Sequence, residues 1–259
     1  MYPLLRYGNK LPTVAAAQIL INRKMRQGTY VGVDGIYGRN TREGVRSFQR
    51  ERKLGPDGII GKNTWAALIA HQRLQVIDSV DLSNHGDIGY EDKAIRNAGG
   101  KPLTHFGMSG GVRVVMRSIL QRAQPGGVVL LRFHGHGAPG AMGLTTGIDD
   151  EATSEFGLRF LEDLVRDISG LRPIFAPFGS VELHGCRVGS GKDGRRLITA
   201  LARAWRVPVT AGVRTQYGGG ASTFRFEGRT VTAFPSGNGL KQWARSIPVP
   251  EVHGMSVAS

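Results

Sequence analysis

At 259 residues the chain has material for two domains with cores of their own, and its 34 Lys and Arg against 20 Asp and Glu leave a net charge of +14. That charge suits an anionic cell-wall polymer, an acidic protein or nucleic acid, but no RNP-like, zinc-finger or basic-zipper pattern accompanies it, so no specific nucleic-acid recognition is expected. Its one cysteine, Cys186, excludes an intramolecular disulfide, and the longest apolar runs are too short for a membrane span.

The N-terminus lacks the basic–apolar–small-residue order of a signal peptide. The expectation is therefore a cytosolic protein, or one exported by a route without such a signal.

In chain order, residues 1–70 read as a small helical module. A first helix, about Thr13 to Arg26, carries Val14, Ala17, Ile19, Leu20 and Met25 over most of one face. Then Asp34-Gly-Ile-Tyr-Gly-Arg-Asn-Thr41 recurs as Asp57-Gly-Ile-Ile-Gly-Lys-Asn-Thr64. Both copies have the form Asp-Gly-x-x-Gly-x-x-Thr. The glycines permit a tight turn with positive φ, and Asn40/Thr41 and Asn63/Thr64 are placed to cap the helices that follow. Those helices carry Val45, Phe48 and Gln49, then Trp65, Leu68 and Ile69. Three short helices pinned by two equivalent turns are expected.

From His71 the pattern changes. Leu74–Asp81 predicts a strand, residues 83–111 a long loop or irregular crossover, and residues 112–123 a helix with Val112, Val115, Met116, Ile119 and Leu120 on one face. Val128–Phe133 predicts a buried strand and residues 140–147 a turn or short hairpin. A helix from Ser154 to Ile168 follows, with Phe156 and Phe160 inward. Next come a strand at Val181–His184, a helix at Asp193–Trp205, a strand at Val207–Ala211 and a flexible loop over 212–220. A hairpin pairing Thr223–Phe226 with Thr230–Phe234 ends the domain at 247, and 248–259 is expected to be a disordered tail. The alternation predicts an α/β fold with a mainly parallel sheet covered on both faces.

Two of these strands end in reactive side chains. One runs into His134-Gly-His-Gly137 and the other into His184-Gly-Cys186. The carboxyl ends of strands are where open α/β sheets place their ligands. A thiol becomes a useful nucleophile beside a base, which His136 or His134 can supply. Backbone N–H groups at Gly137 and Cys186 can hold an oxyanion. His134 and His136, two apart, are expected on one side of the strand. The alternatives are a buried structural cysteine and a zinc site built from His134, His136, His184 and Cys186, for which no carboxylate support is identifiable. His71, His85, His105 and His253 read as solvent or loop residues.

The doubled turn, with Phe48-Gln49 and Thr64-Trp65-Ala66-Ala67-Leu68, resembles the peptidoglycan-binding domain of bacterial wall hydrolases over residues 4–69. That resemblance implies peptidoglycan as a partner. The strand into His136-Gly-Ala-Pro-Gly140 and the strand into Gly185-Cys186-Arg-Val188 resemble the caspase-like cysteine peptidases, over residues 74–235. His136 precedes Cys186 by 50 residues, about the separation found in caspases.

This second resemblance implies an α/β/α sandwich and a cysteine peptidase with a His136–Cys186 dyad, no cofactor or metal, and a protein or peptide substrate. His134 is the alternative base and the Gly137 backbone an oxyanion donor. The loop at 212–220, with Arg214 and Tyr217, is placed near the bound residue. Asp149, Asp150 and Glu151 are either solvated or acceptors for a basic side chain. His184-Gly-Cys186 replaces the Gln-Ala-Cys of true caspases, so aspartate specificity does not carry over. A non-catalytic wall-binding protein with a degenerate scaffold is the alternative from another functional class.

Overall fold

A computed structural model of the chain describes residues 3–25, 30–82, 89–105, 111–144, 155–158 and 161–248. It divides into two compact units, one made of Tyr2–Leu74 with the segment that starts at Asn238, the other of Gln75–Gly237.

The first unit holds α1 (Pro12–Lys24), α2 (Arg39–Glu51) and α3 (Lys62–Ile69). Helix α1 is buried from Pro12 to Asn22, polar residues included, so it is the central helix. Burial obliges its amides to find partners. Gln18 donates to Asp34 Oδ1, the Ile36 carbonyl and Thr41 Oγ1 at 2.9, 3.2 and 3.0 Å, and accepts from the Asp34 and Gly35 N–H groups. Gln49 of α2 repeats the pattern on Asp57, Ile59 and Thr64 at 2.8, 3.0 and 3.1 Å, and accepts from the Gly58 N–H. Each Asp-Gly turn is therefore organised by a glutamine of the preceding helix.

The threonines differ from the expected caps. The helices start from Gly38 and Gly61 without a side-chain cap bond, and Thr41 and Thr64 lie inside the first turn, where they meet the glutamines.

Residues 238–247 differ from the linear division at 70 and 247. Leu240–Ser246 form a helix of the first unit with Trp243 and Ala244 buried. A Cβ on Gly35, whose φ is +73°, would lie 2.6 Å from Leu240 Cδ1. That turn glycine thus gives the helix its seat. The tail expected to be disordered lies, from 249 on, outside the described residues.

The second unit is built on a six-stranded sheet of β1 (Gln75–Asp81), β2 (Leu103–His105), β3 (Val128–His134), β7 (Phe175–His184), β8 (Val209–Gly212) and β9 (Thr230–Ala233). Their spatial order is β2-β1-β3-β7-β8-β9, parallel except for β9 at the edge. From β1 the chain moves to one side and from β3 to the other, so the order reverses beside β1 and β3. Open α/β sheets form their ligand crevice at such a reversal. A small antiparallel sheet of β4 (Gly137–Ala138), β5 (Ala141–Gly143) and β6 (Glu155–Gly157) follows the His136 loop.

The two faces of the main sheet differ in chemistry. Leu131, Phe133, Val181 and Leu183 join one apolar core with residues of α5 (Gly111–Arg122), α6 (Leu161–Ser169) and α7 (Gly191–Trp205). Phe133 and Phe156 meet edge-on there, and Phe133 stacks on Trp205. Period-two alternation sends Arg132, His134, Glu182 and His184 to the opposite face. They too are buried.

Several expected elements are corrected. The stretch read as a loop before α5 contains α4 (Gly89–Asn97) and β2. Helix α4 buries only Ile95 among its residues, so it has no apolar stripe to announce it. The helix expected from Ser154 begins at Leu161, and Phe156 belongs to β6. Ser154 and Phe160 lie outside the described residues. Strand β7 starts six residues earlier than expected, its first half disguised by Pro177 and Gly179. The partner of β9 is β8, while Gly220–Phe224 form a 3-10 turn.

Candidate active site

Strands β3 and β7 are adjacent and parallel, with His134 opposite His184, so the two histidine–glycine ends leave the sheet side by side. The Gly135 N–H donates to the His184 carbonyl at 3.4 Å. A Cβ on Gly137 would stand 2.9 Å from the Cys186 nitrogen and 2.5 Å from Val188 Cγ2, and one on Gly185 would stand 3.0 Å from the Gly135 oxygen. Only bare α-carbons allow the loops this close. Arg187, next to the cysteine, takes a left-handed φ of 58°, and its N–H donates to the Arg214 carbonyl at 3.0 Å. The thiol is thereby held in a sharp turn between strand and helix.

Beyond these strand ends lies a cavity of about 410 Å³ whose lining includes His136, Cys186, His184, Glu91, Gln216 and Tyr217. His136 is exposed and Cys186 half-buried. The Cys186 sulfur lies 3.4 Å from the carbonyl oxygen of Gln216 and 3.4 Å from its nitrogen. That loop is held in turn by Glu227, which accepts the Tyr217 N–H, and by the Gln216 side chain bonded to the Glu227 backbone.

His134 sits elsewhere. It is buried on the polar face, with Nε2 3.2 Å from Asp78 Oδ1, and it does not line the cavity. Burial lowers its pKa and favours the neutral ring, against the opposing pull of Asp78. His184 pairs with Glu182 at 3.0 Å and stacks on Phe226 with ring centroids 4.3 Å apart. Arg132, 0% exposed, reaches Asp78 at 2.6 Å and lies over the Phe224 ring. Burial alone would raise the Asp78 carboxyl, but the Arg132 charge and the His134 hydrogen bond outweigh it and hold it below the usual range.

Of the residues singled out in sequence, His136, Cys186, His184 and Tyr217 come together at the cavity. Arg214 does not line it: its carbonyl takes the Arg187 N–H, and its side chain lies toward Gly228. Asp149, Asp150, Glu151, His85 and His253 lie outside the described residues. Among the described residues no three His, Cys, Asp or Glu side chains form a group able to hold a metal ion. One ring nitrogen of each of His134 and His184, Nε2, faces a carboxylate, Asp78 for the first and Glu182 for the second. Asp78 and Glu182 thus correct the expectation that no carboxylate supports these histidines. Glu182 was findable, two residues before His184 on one strand face. Asp78 and Glu91, from β1 and α4, were not.

The N-terminal unit matches a known family. Residues 11–68 match the Putative peptidoglycan binding domain family. The chain carries a peptidoglycan-binding domain. The match runs through all three helices and both glutamine-held turns. A solved structure described as a peptidoglycan-binding protein from Clostridioides difficile in complex with glutamine hydroxamate is 42% identical, over 25% of this chain and 39% of its own, with a TM-score of 0.23. This chain thus covers well under half of that protein. No curated protein matches the sequence. Among the described residues no helix is long and apolar enough to cross a membrane.

Proposed function

We propose that the protein is a cysteine peptidase directed to the cell wall, its peptidoglycan-binding domain holding it on the polymer while Cys186 and His136 cleave a peptide bond. The observation that carries this reading is that both residues line one cavity beyond the carboxyl ends of adjacent parallel strands. In this mechanism His136 takes the Cys186 proton, and the thiolate attacks the scissile carbonyl. The carbon–nitrogen bond breaks as His136 returns the proton to the leaving amine, and water then hydrolyses the thioester. Backbone N–H groups in the glycine-rich turns around Gly137 and Cys186 are the oxyanion donors.

The test has a wall arm and a chemical arm. The full chain should co-sediment with peptidoglycan sacculi at high salt, where the attraction of its +14 charge is screened. Binding that disappears there, or that an unrelated basic protein matches, removes the targeting. Wild-type protein should cleave wall stem peptides or an unfolded protein, and Cys186→Ala and His136→Ala should abolish that cleavage. Activity that survives either substitution overturns the dyad.

A further inference from the structure

We propose that the cavity at Cys186 accepts a cationic side chain and that Glu91 recognises its ammonium or guanidinium group. The inference rests on the peptidase reading only in assigning that cation to a residue near the scissile bond.

Glu91 lies in the first turn of α4 and is the one carboxylate among the described residues that line the cavity. Its side chain is 13% exposed. One oxygen, Oε1, accepts the Gly219 N–H at 3.3 Å. The other, Oε2, is buried without a hydrogen-bond partner among the described residues. A buried carboxylate oxygen left unpaired is costly, and the neighbouring buried carboxylates show the usual remedy. Asp78 has Arg132 and His134, and Glu182 has His184. Among the described residues, Glu91 Oε2 has no such partner within hydrogen-bond reach. The nearest candidate is His134 Nδ1, 3.7 Å away, beyond hydrogen-bond reach and itself without a partner. Because burial keeps that ring neutral, it does not offset the charge.

The surroundings suit an incoming cation. Arginine is plentiful in a chain of charge +14, yet among the described residues no arginine or lysine lines the cavity. Tyr90 and Tyr217, also lining it, are 61% and 84% exposed, and aromatic faces attract cations. The loop meets the carboxylate with bare backbone, since a Cβ on Gly218 would stand 2.1 Å from Glu91 Oε1. The Gly219 N–H holds the carboxylate in place before any ligand arrives, so little ordering remains to be done on binding. Lysine or arginine of a protein and the diamino acid of a wall peptide present this same group.

Binding to Cys186→Ala protein, followed by calorimetry, tests this without requiring turnover. The probes are a lysine-containing tripeptide amide, its norleucine analogue, and a stem peptide containing diaminopimelate. The lysine peptide should bind about tenfold more tightly than the norleucine one, and added salt should shrink the difference. Glu91→Gln should equalise them. Equal binding in Glu91-containing protein, a preference that survives Glu91→Gln, or no binding of any probe overturns the proposal. If Glu91→Gln does not fold, Glu91→Asp replaces it, and an undiminished preference there counts against Glu91.

The stem peptide distinguishes the source: tighter binding than the lysine peptide points to the wall, weaker binding to a protein. A charge preference without hydrolysis by the wild-type chain overturns the peptidase reading alone. Hydrolysis indifferent to charge overturns this inference alone.

Discussion

The sulfur of Cys186 and the main chain of Gln216 form a two-way contact: the Gln216 N–H points at the sulfur, and the thiol can donate back to the Gln216 carbonyl, each at 3.4 Å. The contact holds the sulfur in the cavity wall, and neither main-chain group takes its proton, so a proton acceptor must come from another residue of the cavity.

Reactivity of that thiol should therefore depend on His136. Iodoacetamide modification of the only cysteine is read directly as a mass shift of the intact protein. We expect the rate at about pH 7 to fall roughly tenfold in His136→Ala and to stay near wild type in His134→Ala. Equal loss in both variants would show that the cavity arrangement does not set the base. A slow wild-type thiol that speeds up after limited proteolysis would instead identify a latent form.

The buried pair Arg132–Asp78 should be a point of high sensitivity. Arg132→Met strands the Asp78 charge on the polar face of the sheet and should cost about 3–5 kcal/mol in urea unfolding. Adding Asp78→Leu removes the stranded charge and should recover part of the loss. A single variant as stable as wild type would mean that other contacts of Asp78 satisfy its carboxylate.

In the peptidoglycan-binding domain, Gln49→Ala leaves the Gly58 N–H, Asp57 and Thr64 without their shared partner. We expect a loss of about 2–4 kcal/mol, with amide exchange accelerated first at Gly58 and Ile59. Gln18→Ala should act in the same way on Asp34 and Gly35. Protection unchanged at these amides would show that the turns hold without the glutamines.

Stability should also fall on mild acidification. Burial lowers the pKa values of His134 and His105 below the ordinary 6.5, in His105 against the pull of Asp81. Both bind protons more readily unfolded than folded, so their contribution is complete above about pH 6.5 and is lost as the pH drops below it. Asp78, held below its ordinary 3.8, keeps its contribution until far stronger acid. The urea midpoint should thus fall between about pH 7 and pH 5, and His105→Leu should flatten that fall. An unaltered slope would place the proton uptake elsewhere.

Local chemistry in the sequence determined the doubled Asp-Gly turns, the three helices around them, and the two strands that run into His-Gly and Gly-Cys. Each of these depends on neighbours within a few residues, through glycine geometry and apolar periodicity. Tertiary structure alone decided which of His134 and His136 lines the cavity with Cys186. Alternation along an unbroken strand would put His134 and His136 on one side. The strand ends at His134, however, and the turn through Gly135 breaks the alternation, so His134 enters the polar face beside Asp78 while His136 reaches the cavity. Glu91 and Gln216 were equally illegible. Helix α4 buries one apolar residue and the 212–220 loop has no periodic signal, so their places come from packing against distant strands rather than from local pattern.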